Sequence, residues 1–376
     1  MLKFHRLKVQ SISPDAEDAV AIALGVPAEL SAEYRGSAGQ HVVLRALLDG
    51  EDTRRTYSLV SAPGESPLRI VARVHEHGLM SRFLAEQLRV GDELEVLPPN
   101  GSFSAREAAS EGGSYVAFAA GSGITPVIAV VRALLAGGAA RVVLFVGNTG
   151  TGRAMCLEEL LALKNRYLSR LALHFVMSRE PQEVELYNGR LDAPRLRQLA
   201  ATLFRPQEVR DYFLCGPGDM IEQLSAALRE LGVDGARIHA EHFTVASTGA
   251  EGAHPGTAAS EAPEPKAPPE PETREPPSGA SAAMAEVTVL MDGRRRSFTM
   301  SRDGETVLEA AARAGIELPF SCRAGVCSTC RTKVVRGEVE MAQNYALEDW
   351  ELEQGYVLAC QSRVMTPQLE LDYDEK

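Results

Sequence analysis

The sequence has few cysteines, no excess of positive charge and no long apolar run. Only six of its 376 residues are cysteine. No run approaches the roughly 18 to 20 apolar residues of a membrane span, and the N-terminal stretch MLKFHRLKVQSISPD lacks the apolar core of a signal peptide. We therefore expect a cytoplasmic protein without membrane association. In that reducing compartment, clustered cysteines favour metal or redox chemistry over structural disulfides.

The charge balance argues against a nucleic-acid partner. The formal net charge is −12, whereas phosphate binding depends on clustered lysine and arginine. The only basic run is Arg294 to Arg296, directly after the Asp292-Gly293 pair. Because such a pair between two β-like runs is typical of a hairpin, the arginines are predicted to flank a solvated turn.

Length and composition predict several domains and a linker. A chain of 376 residues exceeds the size of one core, and 45% hydrophobic with 24% charged residues is typical of globular proteins. From Ala246 to Ala283 there is no Val, Ile, Leu, Met, Phe, Tyr or Trp, while Ala, Pro and Glu dominate. Such a stretch cannot bury a core. We predict a disordered linker over residues 246–283 and a separate module over residues 284–376.

The chain before the linker changes its pattern near residue 108. Residues 1–108 alternate short β-like runs, such as QHVVLRALL and LRIVARV, with Gly, Pro and Asp turns, and one helical stretch, MSRFLAEQL, interrupts them. This pattern predicts a small antiparallel barrel. Residues 109–245 alternate strand-like and helix-like segments, which predicts an α/β domain with a parallel sheet.

Two glycine-rich turns in the α/β domain favour nucleotide binding. GSGITP, Gly121 to Pro126, lies between a strand and an amphipathic helix, where backbone amides and the helix dipole attract phosphate. CGPGDM, Cys215 to Met220, follows the fourth predicted strand. Such turns at strand carboxyl ends face one crevice, where open α/β sheets bind nucleotides. Each turn alone also fits a merely tight connection, and Cys215 also fits a small buried core residue.

The barrel carries a possible ring-binding and phosphate-binding strand. RTYS, Arg55 to Ser58, offers a cation, an aromatic face and a hydroxyl. Arg55 and Tyr57 share one face of a pleated strand, so a ring can lie on Tyr57 while Arg55 reaches phosphate. An ordinary amphipathic strand is the alternative. HGLMS, His77 to Ser81, opens the predicted helix and offers further amide donors.

The cysteines after the linker have the spacing of a cluster-binding loop. Cys322, Cys327 and Cys330 are spaced C-x4-C-x2-C, and Cys360 follows after 29 intervening residues. This is the plant-type arrangement for a 2Fe-2S cluster. A structural zinc site is the alternative, but it typically uses two short ligand pairs, whereas here the fourth cysteine stands alone.

Together these motifs resemble the ferredoxin-NADP reductase superfamily, joined to a C-terminal plant-type ferredoxin domain. R-x-Y-S, G-x-G-I-T-P and C-G-P-x-x-M occur in the order and spacing of that superfamily. The resemblance implies a FAD-binding β-barrel at residues 1–108, a NAD(P)-binding α/β domain at 109–245, and a β-grasp ferredoxin domain of the α+β class at 284–376. AEHF, which ends at Phe243, resembles the terminal segment of FAD-containing members and disfavours FMN. The resemblance implies that Phe243 stacks near the FAD, and the last core residue of a strand is the alternative.

The resemblance also implies roles for individual residues. It places Tyr57 against the flavin ring, Ser58 near the reactive N5 atom and the nicotinamide cofactor across the two glycine-rich turns. The residues implied for catalysis are Tyr57, Ser58, Cys215 and Glu241. Those implied for FAD and nucleotide binding are Arg55, Tyr57, Ser58, His77, Gly78, Leu79, Met80, Ser81, Gly121, Gly123, Thr125, Pro126, Ser178, Arg179, Cys215, Gly216, Pro217 and Phe243. The cluster ligands are Cys322, Cys327, Cys330 and Cys360.

The segment VMSRE bears on the choice of nicotinamide cofactor. Ser178 and Arg179 follow the third strand, where NADP-dependent relatives hold the 2′-phosphate. A guanidinium suits phosphate, although a lone exposed arginine is usually only solvated. We expect NADPH, with NADH as the alternative and Arg153 as a second candidate for the phosphate.

The domain order implies a reductase component that passes electrons from NAD(P)H through FAD and a 2Fe-2S cluster to an oxygenase. The ferredoxin segment resembles the reductase subunits of di-iron phenylacetyl-CoA epoxidases, which implies such an epoxidase as partner in phenylacetate catabolism. A Rieske-type ring or steroid hydroxylase, or a desaturase, is an alternative acceptor. A non-catalytic redox sensor is the alternative of another class. Acidic residues around Trp350 either steer docking or form a solvated face.

Overall fold

The computed structural model describes residues 3–104, 112–138, 140–243 and 284–375. The predicted linker, residues 246–283, lies outside the described residues. Within the described ranges, no helix is both long enough and apolar enough to cross a membrane. The strands form three large sheets and one small two-stranded sheet.

The first sheet is antiparallel and six-stranded, as the alternating pattern predicts. Its strands are β1 His5–Ala16, β2 Ala19–Gly25, β3 His41–Leu48, β4 Glu51–Ser58, β5 Leu68–Arg73 and β6 Glu93–Val96. They are ordered β4-β3-β6-β1-β2-β5. Apolar side chains from alternate positions, such as Leu7, Ile22, Leu44 and Ile70, fill the core of this unit. The predicted helix is a short α-helix, α1 Leu79–Arg82, continued by a π-helical turn, Phe83–Gln87.

The second sheet is parallel, as strand and helix alternation predicts. Its strands are β7 Gly113–Ala120, β8 Ala140–Asn148, β9 Leu171–Met177, β10 Val209–Gly216 and β11 Ile238–His242, in the order β11-β10-β7-β8-β9. Its helices are α2 Ile124–Ala136, α3 Leu157–Arg166, α4 Ala193–Leu203 and α5 Gly218–Glu230. Residues 115–119 of the central strand are all buried, because helices cover both faces of the sheet.

Helix α4 is an element of this unit that the sequence analysis did not assign. The Asp192 side chain accepts a hydrogen bond from the Arg195 amide at its N-terminus. Leu196 and Leu199 are buried on one face. Both features are recognisable sequence signals, a cap residue and apolar residues at helical spacing.

The third sheet, with the small two-stranded sheet beside it, forms the ferredoxin-like unit. Its elements are β12 Met284–Met291, β13 Arg294–Ser301, α6 Val307–Arg313, β14 Arg331–Arg336, β15 Val339–Met341, α7 Asp349–Glu353, β16 Tyr356–Leu358, β17 Ser362–Val364 and β18 Gln368–Asp372. The main sheet has the order β13-β12-β18-β14-β16. Asp292 and Gly293 both have positive φ, 53° and 67°, which confirms the predicted hairpin.

The two glycine-rich turns of the parallel sheet touch each other at Gly123. A Cβ atom there would lie 2.1 Å from the Cys215 carbonyl oxygen and 2.8 Å from the Gly216 nitrogen. Only a residue without a side chain allows this approach of two backbones. Gly218, in the second turn, has no neighbouring atom within 4 Å of a Cβ built on it.

This difference predicts opposite effects of two Gly→Ala substitutions. Gly123→Ala should lower the free energy of unfolding by about 1–3 kcal/mol, because backbone must move to relieve the overlap. Gly218→Ala, its control, should leave stability unchanged or raise it by up to about 1 kcal/mol. Scanning calorimetry of both variants measures this, and equal melting profiles would contradict the close approach.

Candidate cofactor site

One large cavity lies where the barrel, the parallel sheet and the ferredoxin-like unit meet. Its volume is about 1300 Å³, larger than the usual pocket for one small ligand. Most of the predicted site residues line it. These are Arg55, Tyr57, Ser58, His77, Gly78, Leu79, Met80, Ser81, Gly121, Thr125, Ser178, Arg179, Gly216, Pro217, Glu241, Phe243, Cys322 and Cys327.

Five predicted site residues are absent from the cavity lining: Gly123, Pro126, Cys215, Cys330 and Cys360. Cys215 is completely buried in the core beneath the sheet, and burial, with a smaller contribution from Glu241, raises the pKa of its thiol. Its position therefore matches a core residue, and its role beside the nicotinamide stays a prediction. Gly123 and Pro126 are also buried and shape the turn from behind.

Strand β4 presents RTYS to the cavity. Burial raises the pKa of Tyr57, so its phenol stays protonated while its ring faces the space. The Ser58 hydroxyl is buried and has no hydrogen-bond partner among the described residues. A buried hydroxyl without a partner is costly. The geometry therefore fits a polar ligand atom, such as a ring nitrogen, placed against Ser58.

The turn before α1 is built by Ser81. Its hydroxyl accepts a hydrogen bond from the His75 amide at 3.1 Å and donates to the Gly78 carbonyl at 3.2 Å. A Cβ atom on Gly78 would lie 2.4 Å from the Ser81 hydroxyl. A side chain on Gly78 would therefore displace the Ser81 hydroxyl, which holds the turn beside the cavity.

The nucleotide side of the cavity is formed by strand ends. Gly121 has a φ of 57°, a left-handed conformation that favours glycine, and a 3-10 turn leads from it into α2. The Asn148 side-chain nitrogen, at the end of β8, is buried without a partner among the described residues. The crevice therefore lies at the carboxyl ends of the strands, as predicted for a nucleotide site.

Three exposed arginines line the nucleotide side of the cavity: Arg153, Arg179 and Arg190. Arg190 was not predicted from the sequence. Arg153 forms an ion pair with Asp18, which also pairs with Arg73, whereas no ion pair is seen for Arg179 or Arg190 among the described residues. Arg190 follows Asn188-Gly189 in a polar loop, where no sequence signal marked it.

The four cluster cysteines form two pairs. Cys322 lies next to Cys327, and Cys330 next to Cys360. The neighbouring Cys327 thiol, together with nearby amides, lowers the pKa of Cys322 to about 5. Among the described residues, no three Cys, His, Asp or Glu side chains converge on a single-ion site. Two thiol pairs fit two irons better than one tetrahedral zinc ion.

The backbone of the loop turns its amides toward the sulfur atoms. The Ala324 amide donates to Cys322 Sγ at 3.4 Å and the Cys322 amide to Cys327 Sγ at 3.5 Å. Arg323 and Ser328 adopt positive φ, 54° and 48°, which is costly outside glycine. The loop therefore places amide donors at the sulfur atoms, and such donors stabilise negative charge on sulfur.

His41 connects all three units and was not selected from the sequence. It opens β3 opposite Ser58. Its Nε2–H donates to the Cys327 carbonyl oxygen at 3.1 Å, and its Nδ1 lies 3.5 Å from Glu241 Oε1. Burial raises the pKa of Glu241, although His41 partly counteracts this. The second carboxyl oxygen of Glu241 is buried without a partner among the described residues.

Comparisons with known proteins agree with this geometry. Residues 8–104 match the oxidoreductase FAD-binding domain, residues 118–226 the oxidoreductase NAD-binding domain and residues 289–365 the 2Fe-2S iron-sulfur cluster binding domain. The chain belongs to the flavin- and NAD-binding oxidoreductases with a C-terminal 2Fe-2S domain, within the ferredoxin-NADP reductase superfamily. The predicted fold class is confirmed, as are FAD, a nicotinamide dinucleotide and a 2Fe-2S cluster as cofactors.

Individual relatives are similar along their whole length. A subunit of the 1,2-phenylacetyl-CoA epoxidase of Escherichia coli (strain K12) is 36% identical, with 100% of this chain and 99% of the relative covered. The ferredoxin reductase component of the 3-ketosteroid-9-alpha-monooxygenase of Rhodococcus rhodochrous is 32% identical, with 98% and 96% covered. The structure of phthalate dioxygenase reductase is 21% identical, with a TM-score of 0.57 and 98% of each chain covered, and shares the fold.

The unpartnered Ser58 hydroxyl gives a two-part prediction. In flavin-free protein, Ser58→Ala should leave the free energy of unfolding unchanged or raise it by about 1 kcal/mol, because no hydrogen bond is lost. In flavin-loaded protein, the rate of flavin reduction by NADPH should fall about tenfold or more. Urea unfolding and stopped-flow absorbance measure the two effects.

Ser61→Ala is the matched control. The Ser61 hydroxyl accepts a hydrogen bond from the Arg69 amide at 3.2 Å and does not line the cavity. This variant should lose about 1 kcal/mol of stability and keep its rate of flavin reduction. A Ser58→Ala variant that behaved like Ser61→Ala would refute the role of Ser58 in the site.

Proposed function

We propose that the chain is the reductase component of a phenylacetyl-CoA epoxidase, passing electrons from NADPH through FAD and a 2Fe-2S cluster to a di-iron oxygenase. The observation that carries this proposal is the large cavity lined together by the RTYS strand, the two glycine-rich turns and the cysteine loop. The 36% identity with the Escherichia coli epoxidase subunit over the whole chain supports the choice of acceptor.

The bound groups supply the chemistry, namely hydride acceptance by the flavin and single-electron transfer by the cluster. The chain supplies position and polarity. Tyr57 offers a ring face, Ser58 offers a hydroxyl, and the amides of the cluster loop stabilise charge on sulfur. We assign the cluster to Cys322, Cys327, Cys330 and Cys360. The domain limits 1–108, 109–245 and 284–376 remain part of this proposal, and the cytoplasmic location stays a prediction.

The acceptor is tested by reconstitution. The purified chain is mixed with the oxygenase subunits of a phenylacetyl-CoA epoxidase and phenylacetyl-CoA, and NADPH oxidation and epoxide formation are measured together. We expect close to one product per NADPH. A parallel reaction uses a 3-ketosteroid 9α-monooxygenase, since a reductase component of that system is 32% identical. Coupled turnover only with the steroid oxygenase would overturn the proposed acceptor.

We propose NADPH as the electron donor, with Ser178, Arg179 and Arg190 around its 2′-phosphate. Arg179→Ala should raise the KM for NADPH about tenfold or more and leave the KM for NADH unchanged, because a charge-assisted hydrogen bond to phosphate is lost. Arg205→Ala, which removes an exposed arginine paired with Glu208, is the control. Steady-state kinetics with NADPH and NADH measure these KM values. A preference of the unmodified chain for NADH would exclude NADPH as the electron donor.

A further inference from the structure

The cluster ligands divide between a cavity side and a core side. Cys322 and Cys327 line the cavity, whereas Cys330 and Cys360 are packed in the hydrophobic core of the ferredoxin-like unit. Electron transfer slows steeply with distance, so an acceptor gains by approaching from the side of Cys322 and Cys327. In this structure the barrel occupies that side.

The barrel contacts this side through the hydrogen bond of His41 to the Cys327 carbonyl and through Arg54. The Arg54 side chain is only 5% exposed, and its Nη2 donates to Glu317 Oε1 at 2.8 Å. Its guanidinium lies 4.0 Å from the centre of the Phe320 ring. Next to it, the hydroxyls of Thr56 and Ser321 are 3.4 Å apart. The ferredoxin-like unit therefore offers a carboxylate and an aromatic ring to one planar cation.

Arg54 is charged and held in place from its own side. Burial lowers its pKa, but hydrogen bonds to Asp52 and Glu317 outweigh this effect and the pKa is raised. Asp52 accepts from Arg54 Nη2 at 2.8 Å. On the other side, Glu317 is 70% exposed, so its carboxylate keeps access to solvent and to other cations.

Two acidic residues beside Trp350, Glu348 and Glu351, are poorly suited to the same task. Glu351 is only 2% exposed and pairs with Arg331 at 2.5 Å. Glu348 accepts a hydrogen bond from the Trp350 ring at 2.7 Å and caps α7. Both carboxylates therefore have partners within the ferredoxin-like unit. Glu317, by contrast, pairs with the barrel itself, through Arg54.

We propose that Glu317, Phe320, Ser321 and the loop Cys322–Cys327 form one docking face that the barrel and the oxygenase occupy in turn, and that the oxygenase presents an arginine in the place of Arg54. This inference rests on the proposed electron transfer to an external oxygenase. It adds that the ferredoxin-like unit cannot contact the barrel and the oxygenase at the same time. It also adds that the oxygenase surface carries a cation opposite Glu317.

A charge exchange tests the shared face. The variants are Arg54→Glu, Glu317→Arg and the double variant. Stopped-flow absorbance follows flavin reduction by NADPH and then cluster reduction. Cytochrome c, a basic one-electron acceptor, serves as the external probe, and small-angle scattering of the cofactor-free chains reports docking without turnover. Glu286→Arg, which alters an exposed glutamate on β12, is the matched control.

The shared face predicts distinct results for Glu317→Arg and for the double variant. Glu317→Arg should leave flavin reduction unchanged, slow cluster reduction about threefold or more, and raise the KM for cytochrome c by a similar factor at low salt. The double variant should regain cluster reduction and a compact scattering profile, because the ion pair is re-formed in reverse. It should not regain the KM for cytochrome c, because an arginine then faces a basic partner.

Two results would overturn the proposal. One is a Glu317→Arg variant that matches Glu286→Arg in cluster reduction and in KM. The other is a double variant that regains both properties or neither. Circular dichroism and flavin content show whether Glu317→Arg folds. If it folds poorly, Glu317→Gln is used instead, and it should slow cluster reduction and raise the KM for cytochrome c by smaller factors. A wild-type chain that serves cytochrome c but not the epoxidase would reject the proposed acceptor while the docking face stands.

Discussion

The buried contact between His41, Glu241 and the Cys327 carbonyl holds together the arrangement on which the site depends. His41 belongs to the barrel, Glu241 to the last strand of the parallel sheet and Cys327 to the cluster loop. The Glu241 side chain is only 11% exposed, and an isolated charge at such a depth is costly. The histidine compensates part of that cost, so the three units are joined at the wall of the cavity that all of them line.

The backbone around the four predicted ligands shows why two of them face the cavity while the other two lie in a hydrophobic core. Cys322 and Cys327 come from a loop with two non-glycine residues at positive φ. Cys330 directly precedes β14, and Cys360 lies between β16 and β17. The first pair is therefore placed by loop conformation and the second by the sheet. Two of the four predicted ligands are therefore fixed by the hydrophobic core of the unit, whereas the other two depend on the conformation of a loop at the cavity.

Sequence patterns predicted the elements and the motif turns because these depend on nearby residues. Alternation predicted the first sheet, strand and helix alternation predicted the second, and the cysteine spacing predicted ligands on one loop and at one later strand end. The long-range contacts were beyond such patterns. His41 lies 286 positions from Cys327 and Arg54 lies 263 positions from Glu317, and neither residue differs in type or spacing from an ordinary strand residue. Glu351 resembles a surface acid until its buried contact with Arg331 is known.

The strength of the Arg54 contact has to be limited for the chain to deliver electrons. An ion pair with one well-exposed partner contributes about 0–1 kcal/mol, and Glu317 is such a partner. The ring contact with Phe320 adds roughly 0.5–2 kcal/mol. The barrel and the ferredoxin-like unit belong to one chain, so their effective concentration is high. Even this modest contact free energy therefore populates the state in which the ferredoxin-like unit is docked on the barrel. A much stronger contact would keep the cluster at the flavin, since an oxygenase would then need an equally large differential affinity to displace the barrel. One hydrogen bond from His41 and one arginine facing an exposed carboxylate therefore suit an exchangeable contact better than a large buried interface would.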